Sequence, residues 1–221
     1  MALEIQNHVI TKYLEEEGMT EISLPEGIRE IGEKAFRRCD TLEKVILPAS
    51  LYRIGHFAFH QCRNLSCIEI KRTIHNVSHT AVTGCPNLNS IIWYETEIPL
   101  NSVNTIERDH AFQMIAEKDF GYVLKSNQYL IWYMFSAMPE DMHILIYIGK
   151  HFPELFRILI EMKQPEILKQ FLACGKFLLE KNIDDFIQYA NQVQNYEAQI
   201  LLTEYKFRNY RIPDIAEKFK L

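Results

Sequence analysis

Cys39, Cys62 and Cys85 recur at a constant step of 23 residues, and His56 and His60 lie close to the middle one. Thiolates beside imidazoles can hold zinc or carry redox chemistry. A zinc site usually draws paired ligands two to four residues apart, and no Cys-x-x-Cys occurs in the chain. The competing reading is a ladder of small buried side chains, one in each unit of a repeat. The step of the cysteines is the step of the repeat, so a ladder accounts for it without a ligand. A disulfide between neighbouring units is the remaining option, and parallel Cβ directions make it awkward. His56 and His79 share a column with Glu33, and His60 shares one with Arg37 and Thr83. A column that accepts Glu, His, Arg and Thr reads as solvated surface. None of the eight glycines forms a phosphate loop, and no motif places a Ser, a His and an Asp together. Glu15 to Glu17 read as the solvated tip of a turn. No catalytic residue, no metal ligand and no cofactor is expected.

The chain has 221 residues, 48% hydrophobic and 24% charged, with a net charge of -5. That is the balance of a globular protein with room for one large or two small domains. Acidic and basic residues are spread evenly, so neither half is a footprint for nucleic acid. The most apolar run, Tyr129 to Met138, is too short to span a bilayer and reads as a buried helix. "MALEIQNHVITKYLEEEG" has no positive start and no long apolar stretch, so no secretory signal is seen. Five cysteines without a compact even framework suit reduced thiols in a cytoplasm; a surface location is the other option if a signal was removed. Asn64 and Asn76 head two sequons, read as chance.

The elements that must position these residues show the same period. Leu42, Leu65 and Leu88 keep the step of 23, as do Ile22, Val45, Ile68 and Ile91. Ile28, Leu51 and Ile74 follow it, then Ile31, Ile54 and Val77, and Ala35, Ala58 and Ala81. In "LEKVIL" (residues 42–47) Val45 and Leu47 alternate with Ile46 as a strand requires. A unit of this size cannot bury its apolar side alone, whereas stacked units can, and stacking makes a solenoid. The pattern I-x-L-P-x-x-I-x-x-I-G-x-x-A-F-x-x-C-x-x-L resembles the BspA-like leucine-rich repeats. It is close over residues 21–67, weakens over 68–90 and is lost beyond Trp93. "HVITKYLEEEGMTEISLP" (residues 8–25) resembles the hairpin that opens such arrays, with a turn at Glu17-Gly18.

After a linker at residues 94–104 the apolar spacing becomes helical. Pro139, Pro153 and Pro165 are placed as first-turn prolines. Asn182 and Asn195 are placed as helix caps. "QPEILKQFLACGKFL" and "NYEAQILLTEYK" resemble the second-helix region of ankyrin-type repeats. The expected fold is therefore α+β. A leucine-rich repeat solenoid with an N-terminal β-hairpin cap covers residues 1–98, with repeats at 22–44, 45–67 and 68–90 and a partial one from 91. An all-α domain of short antiparallel helix pairs covers residues 105–221.

The resemblance implies non-catalytic protein binding, with a protein partner, no nucleic acid and no membrane insertion. Strand residues that point out of the stack form the candidate concave face: Glu21, Ser23, Lys44, Ile46, Glu69, Lys71, Ile92 and Tyr94. Such a face is the usual recognition surface of a solenoid. The alternative is that it is partly covered by the helical half. Two other functional readings stand beside binding. One is an enzyme with a pocket where the halves meet, near Glu107, Asp109 and His110. The other is a structural segment of a larger bacterial surface protein.

Overall fold

The computed structural model describes residues 3–100, 103–104 and 107–210. The expected start of the helical half at Thr105 and its last residues, 211–221, lie outside them. The chain forms two compact units, Met1–Met138 and Pro139–Leu221.

In the first unit the described residues wind through ten short strands: β1 (Leu3–Gln6), β2 (Val9–Tyr13), β3 (Glu21–Ser23), β4 (Glu30–Ile31), β5 (Lys44–Leu47), β6 (Arg53–Ile54), β7 (Cys67–Ile70), β8 (Asn76–Val77), β9 (Ser90–Trp93) and β10 (Thr96–Pro99). They make two sheets, ordered β1-β2-β4-β6-β8 and β10-β9-β7-β5-β3. Successive coils pair in parallel and in register at the repeat step: Val45 meets Ile68, Ile68 meets Ile91, and Ile31 meets Ile54. A parallel pair of this kind needs a crossover, and here the crossover is the rest of the coil.

Between the sheets lies a core built of columns. Val45, Ile68 and Ile91 are fully buried, and so are Ala58, Ala81, Leu65 and Leu88. Burial of each Val, Ile or Leu side chain is worth about 1.5–3 kcal/mol, which is why stacking rescues a unit that cannot fold alone. The "AF" phenylalanines add a second ladder. The rings of Tyr13, Phe36 and Phe59 stack with centroids 5.1 Å apart at each step. Before each column cysteine the backbone turns left-handed, at Arg38 (φ 61°), Gln61 (φ 59°) and Gly84 (φ 78°). Only in the third coil is that position glycine, the residue with no penalty there.

Both ends of the stack are closed. At the start β1 and β2 form an antiparallel hairpin whose two-residue turn is Asn7-His8, both at positive φ. The expected cap is thus present, one turn earlier than expected. Glu17-Gly18 does not join hairpin strands: it carries the chain from β2 in one sheet to β3 in the other. The apolar alternation around Val9 and Ile22 is compatible with either pairing. At the far end β10 turns back on β9 through Tyr94 (φ 46°) and Glu95 (φ 65°), a two-residue hairpin of the type that matches strand twist.

Two helices complete that closure, α1 (Arg108–Glu117) and α2 (Leu130–Ala137). The second lies within the apolar run 129–138, and its Leu130, Ile131, Trp132, Met134 and Phe135 are fully buried. The Tyr129 hydroxyl donates to the Pro99 carbonyl at 3.2 Å, tying its start to β10.

The second unit contains α3 (Met142–Lys150), α4 (Phe152–Met162), α5 (Pro165–Ala173), α6 (Glu180–Gln192) and α7 (Tyr196–Asn209). Pro153 and Pro165 occupy first-turn positions, and Asn195 caps α7 by accepting from the Ala198 amide at 3.1 Å. Two placements differ from expectation. The cap of α3 is Asp141, which accepts from His143 and Ile144, and Pro139 lies outside the helix. Asn182 sits inside α6 and reaches back to accept from the Leu179 amide at 2.8 Å, the return half of a capping box. The antiparallel α6–α7 pair is fastened by Lys206 to Asp184 at 2.7 Å. Phe152, Phe156, Phe171 and Phe186 form the unit's aromatic core.

Candidate binding surface

Alternation along β5, β7 and β9 turns every second side chain out of the core. The strand register aligns these residues into two ladders. Ser23, Ile46, Glu69 and Ile92 face one another across β3, β5, β7 and β9, and Glu97 of β10 extends the row. Glu21, Lys44, Cys67 and Ser90 form the second row. Ile46 and Ile92 are half-buried, and between them Glu69 pairs with Lys44 at 3.1 Å. The Glu69 carboxylate raises the pKa of Lys44 above its ordinary value by hydrogen bonding. Lys71 and Tyr94 sit just past the ends of β7 and β9. With Glu69, Glu95 and Ala137 they line a groove of about 530 Å³. Tyr94 also holds the backbone in place, because its hydroxyl accepts from the Thr73 amide at 3.2 Å.

The cysteine column is a ladder in the core. Cys39, Cys62 and Cys85 are all buried with free thiols. Cys62 donates its thiol to the Phe36 carbonyl of the preceding coil at 2.9 Å, and Cys85 does the same to Phe59. The neighbouring Cys39 thiol, together with burial, pushes Cys62 up to about 12. The Cys62 thiol and burial hold Cys85 well above the ordinary thiol range. Neutral thiols of this kind are poor nucleophiles and poor ligands. Among the described residues no group of three His, Cys, Asp or Glu is placed to hold a metal ion.

His56 is exposed, with its Nδ1 2.7 Å from the Ser78 hydroxyl and its ring edge-on to His79. His60 is partly covered and packs on Phe57; burial first, then Arg37 and Arg38, lower its pKa.

Glu107, Asp109 and His110 lie on or just before α1, and each has a contact within the first unit. The Asp109 carboxylate accepts from the Val82 amide at 2.8 Å and the Thr83 hydroxyl at 2.7 Å. In the earlier coils the amides of Phe36 and Phe59 donate to the carbonyls of Ala58 and Ala81 in the next coil. Asp109 therefore supplies the acceptor that a further coil would have supplied to Val82. Glu117 does the same for the Val77 amide at 2.6 Å, and the Ala116 carbonyl accepts from the Ile74 amide at 2.8 Å. The buried Arg108 donates to the carbonyls of Cys85 and Pro86, both at 2.7 Å. Burial outweighs the bonds to Asp109 and raises its pKa. Glu107 accepts from the Ser126 hydroxyl at 2.7 Å, and His110 packs edge-on against Tyr122.

A second groove, of about 510 Å³, was not anticipated. It includes Arg29, Tyr52, Arg72 and His75. Its signal is present in the repeat, because residues 29, 52 and 75 share one column of the step of 23.

Residues 9–136 match the BspA type leucine rich repeat region in six copies. The chain belongs to this family. The match of the BspA-type repeat starts at β2 and runs beyond Trp93, where the quoted pattern ends, through α1 and α2. It thus takes in the closing helices as well as the coils. A solved structure, a leucine rich repeat protein of T. pallidum, is 34% identical over 38% of this chain and 41% of that one, with a TM-score of 0.35. The chain thus spans well under half the length of that relative. No curated protein matches the chain. Among the described residues no helix is long and apolar enough to cross a membrane.

Proposed function

We propose that this BspA-type repeat protein is a non-catalytic binding module that holds a protein partner on the open face of the sheet β10-β9-β7-β5-β3. The observation that carries this is the row Ser23, Ile46, Glu69, Ile92 and Glu97, in which two half-exposed isoleucines alternate with acidic residues across five strands. Apolar side chains set in a polar, rigid frame are what a protein interface uses at its centre. The groove lined by Glu69, Lys71 and Tyr94 supports the same reading, since it offers a pocket beside the row. The membership of the repeat family supports it at the level of class.

The test is quantitative capture of partners by wild type and by an Ile46→Ala, Ile92→Ala variant, with thermal melting of both. Tyr94 is left unchanged because its hydroxyl holds the Thr73 amide. The proposal expects specific partners to be lost with melting unchanged. A captured set that is identical for both proteins sinks it.

A further inference from the structure

The repeat supplies its own template for a second site. At the corner after β3, the Glu26 carboxylate accepts from the backbone amides of Ala49 at 3.1 Å and Ser50 at 3.4 Å in the next coil. One coil later the column of Glu26 is occupied by Ala49, whose methyl group accepts nothing. The equivalent amides are those of Arg72 and Thr73. Thr73 donates to the Tyr94 hydroxyl at 3.2 Å, and the Arg72 amide has no partner among the described residues. Ala49, Arg72 and Thr73 all line the 510 Å³ groove, so the place of the missing carboxylate lies in it. Arg29, Tyr52 and His75 stack along its wall: the Tyr52 amide donates to the Arg29 carbonyl at 2.9 Å and the His75 amide to the Tyr52 carbonyl at 3.2 Å. The Tyr52 and His75 rings lie 5.2 Å apart. Among the described residues no Asp or Glu lines the groove. Neither Arg29 nor Arg72 has an ion pair among the described residues, in a chain whose net charge is -5.

We propose that this groove binds a carboxylate, presented by an acidic side chain of a protein partner, in the place that Glu26 fills one coil earlier. The Arg72 amide is its backbone donor. The guanidinium groups of Arg29 and Arg72 neutralise it through charge-assisted hydrogen bonds, and the rings of Tyr52 and His75 flank the stem that carries it. The site shares neither Ile46 nor Ile92 with the sheet face, so either proposal can fail while the other stands.

The test is a titration of the ¹⁵N-labelled protein with the peptide acetyl-Glu-Glu-Glu-amide, with acetyl-Gln-Gln-Gln-amide and inorganic phosphate as separate arms. The Glu peptide is expected to move the Arg72 and Thr73 amide resonances to saturation, and the Gln peptide to leave them. Arg72→Gln is expected to weaken binding about tenfold or more, the loss of a charge-assisted bond. In Ala49→Glu the chain carries its own carboxylate. There the Arg72 amide should already be shifted without peptide, and peptide binding should be abolished. Unmoved amides, or an Ala49→Glu protein that binds as wild type does, overturn the proposal. Saturation by phosphate with no response to the Glu peptide also overturns it, in favour of a phosphate ligand.

Discussion

Replacing Asp109 removes the acceptor that ends the array. Asp109→Ala leaves the Val82 amide and the Thr83 hydroxyl without their partner, at bonds of 2.8 and 2.7 Å. Hydrogen bonds to a charged group contribute about 1.5–3 kcal/mol each, so the gross loss is roughly 3–6 kcal/mol. Against this stands the cost of holding the carboxylate away from water, which is large enough to raise its pKa. The net destabilisation expected is therefore about 2–3 kcal/mol, a fall in Tm of roughly 6–10 °C for a unit of this size. Asp109→Asn keeps an acceptor and sheds the charge, so its loss should be about 1 kcal/mol. The pH dependence follows from the direction of the shift. An acid with a raised folded pKa binds more protons folded than unfolded. Its contribution is most favourable below the ordinary value of 3.8, declines as pH rises through the folded pKa, and is constant above it. Wild type should show that decline and Asp109→Asn should lack it. The assays are urea unfolding followed across pH, and hydrogen exchange at Val82, which should accelerate in Asp109→Ala. An alanine variant within 0.5 kcal/mol of wild type (roughly the scatter of a neutral surface change), with unchanged exchange at Val82, refutes the capping role.

Three further outcomes follow from the core and the turns. Phe36→Ala, at the centre of the Tyr13–Phe36–Phe59 stack and fully buried, should cost about 3–5 kcal/mol in urea unfolding. Cys62 should resist alkylation in the folded protein at pH 8 and react on unfolding, as read by mass spectrometry. Because its thiol is held at about 12 when folded, its contribution to stability should fall as pH climbs above the ordinary thiol value of 9.0, and Cys62→Ala should flatten that fall. Gly84→Ala should cost about 1–2 kcal/mol in urea unfolding, since an added Cβ at φ 78° meets Gln61 Cγ at 3.1 Å.

The N-terminal half was legible because a solenoid writes its register directly into sequence spacing. A column at a step of 23 is a stack of neighbours, so Cys39, Cys62 and Cys85, the buried aliphatic columns and the two outward rows of the sheet could all be named. The ends were less legible, because an end is where the period stops. The Asn7-His8 turn and the β9–β10 hairpin lack the Gly that usually marks such turns, and the repeat pattern is silent about both. The acceptor roles of Asp109 and Glu117 were hidden for a related reason: each makes up for a coil that is absent, and no column contains it. The groove at Ala49 was readable in principle. It required asking what a column loses when one member, Glu26, is replaced by a residue without a polar group. In the helical unit the prolines at α4 and α5 and the Asn195 cap were local signals and were found. Asp141 and the inward position of Asn182 depend on where the helix begins, which local spacing leaves open by a residue or two.

The repeat makes the number of coils a variable separate from the fold. Every coil meets only its two neighbours, and the hairpin at one end and α1 at the other each read only the coil beside them. Excision of residues 45–67 would join Lys44 to Ile68 and set Phe36 against Val82 and Cys39 against Cys85. The columns would stay filled, and Asp109 would still meet the same last coil. A gene encoding such an array can lengthen or shorten in frame by whole units without redesigning either terminus. The outward rows, by contrast, change with every unit gained or lost. Reach and chemical character of the presented surface are therefore free to diverge between relatives whose interiors are interchangeable.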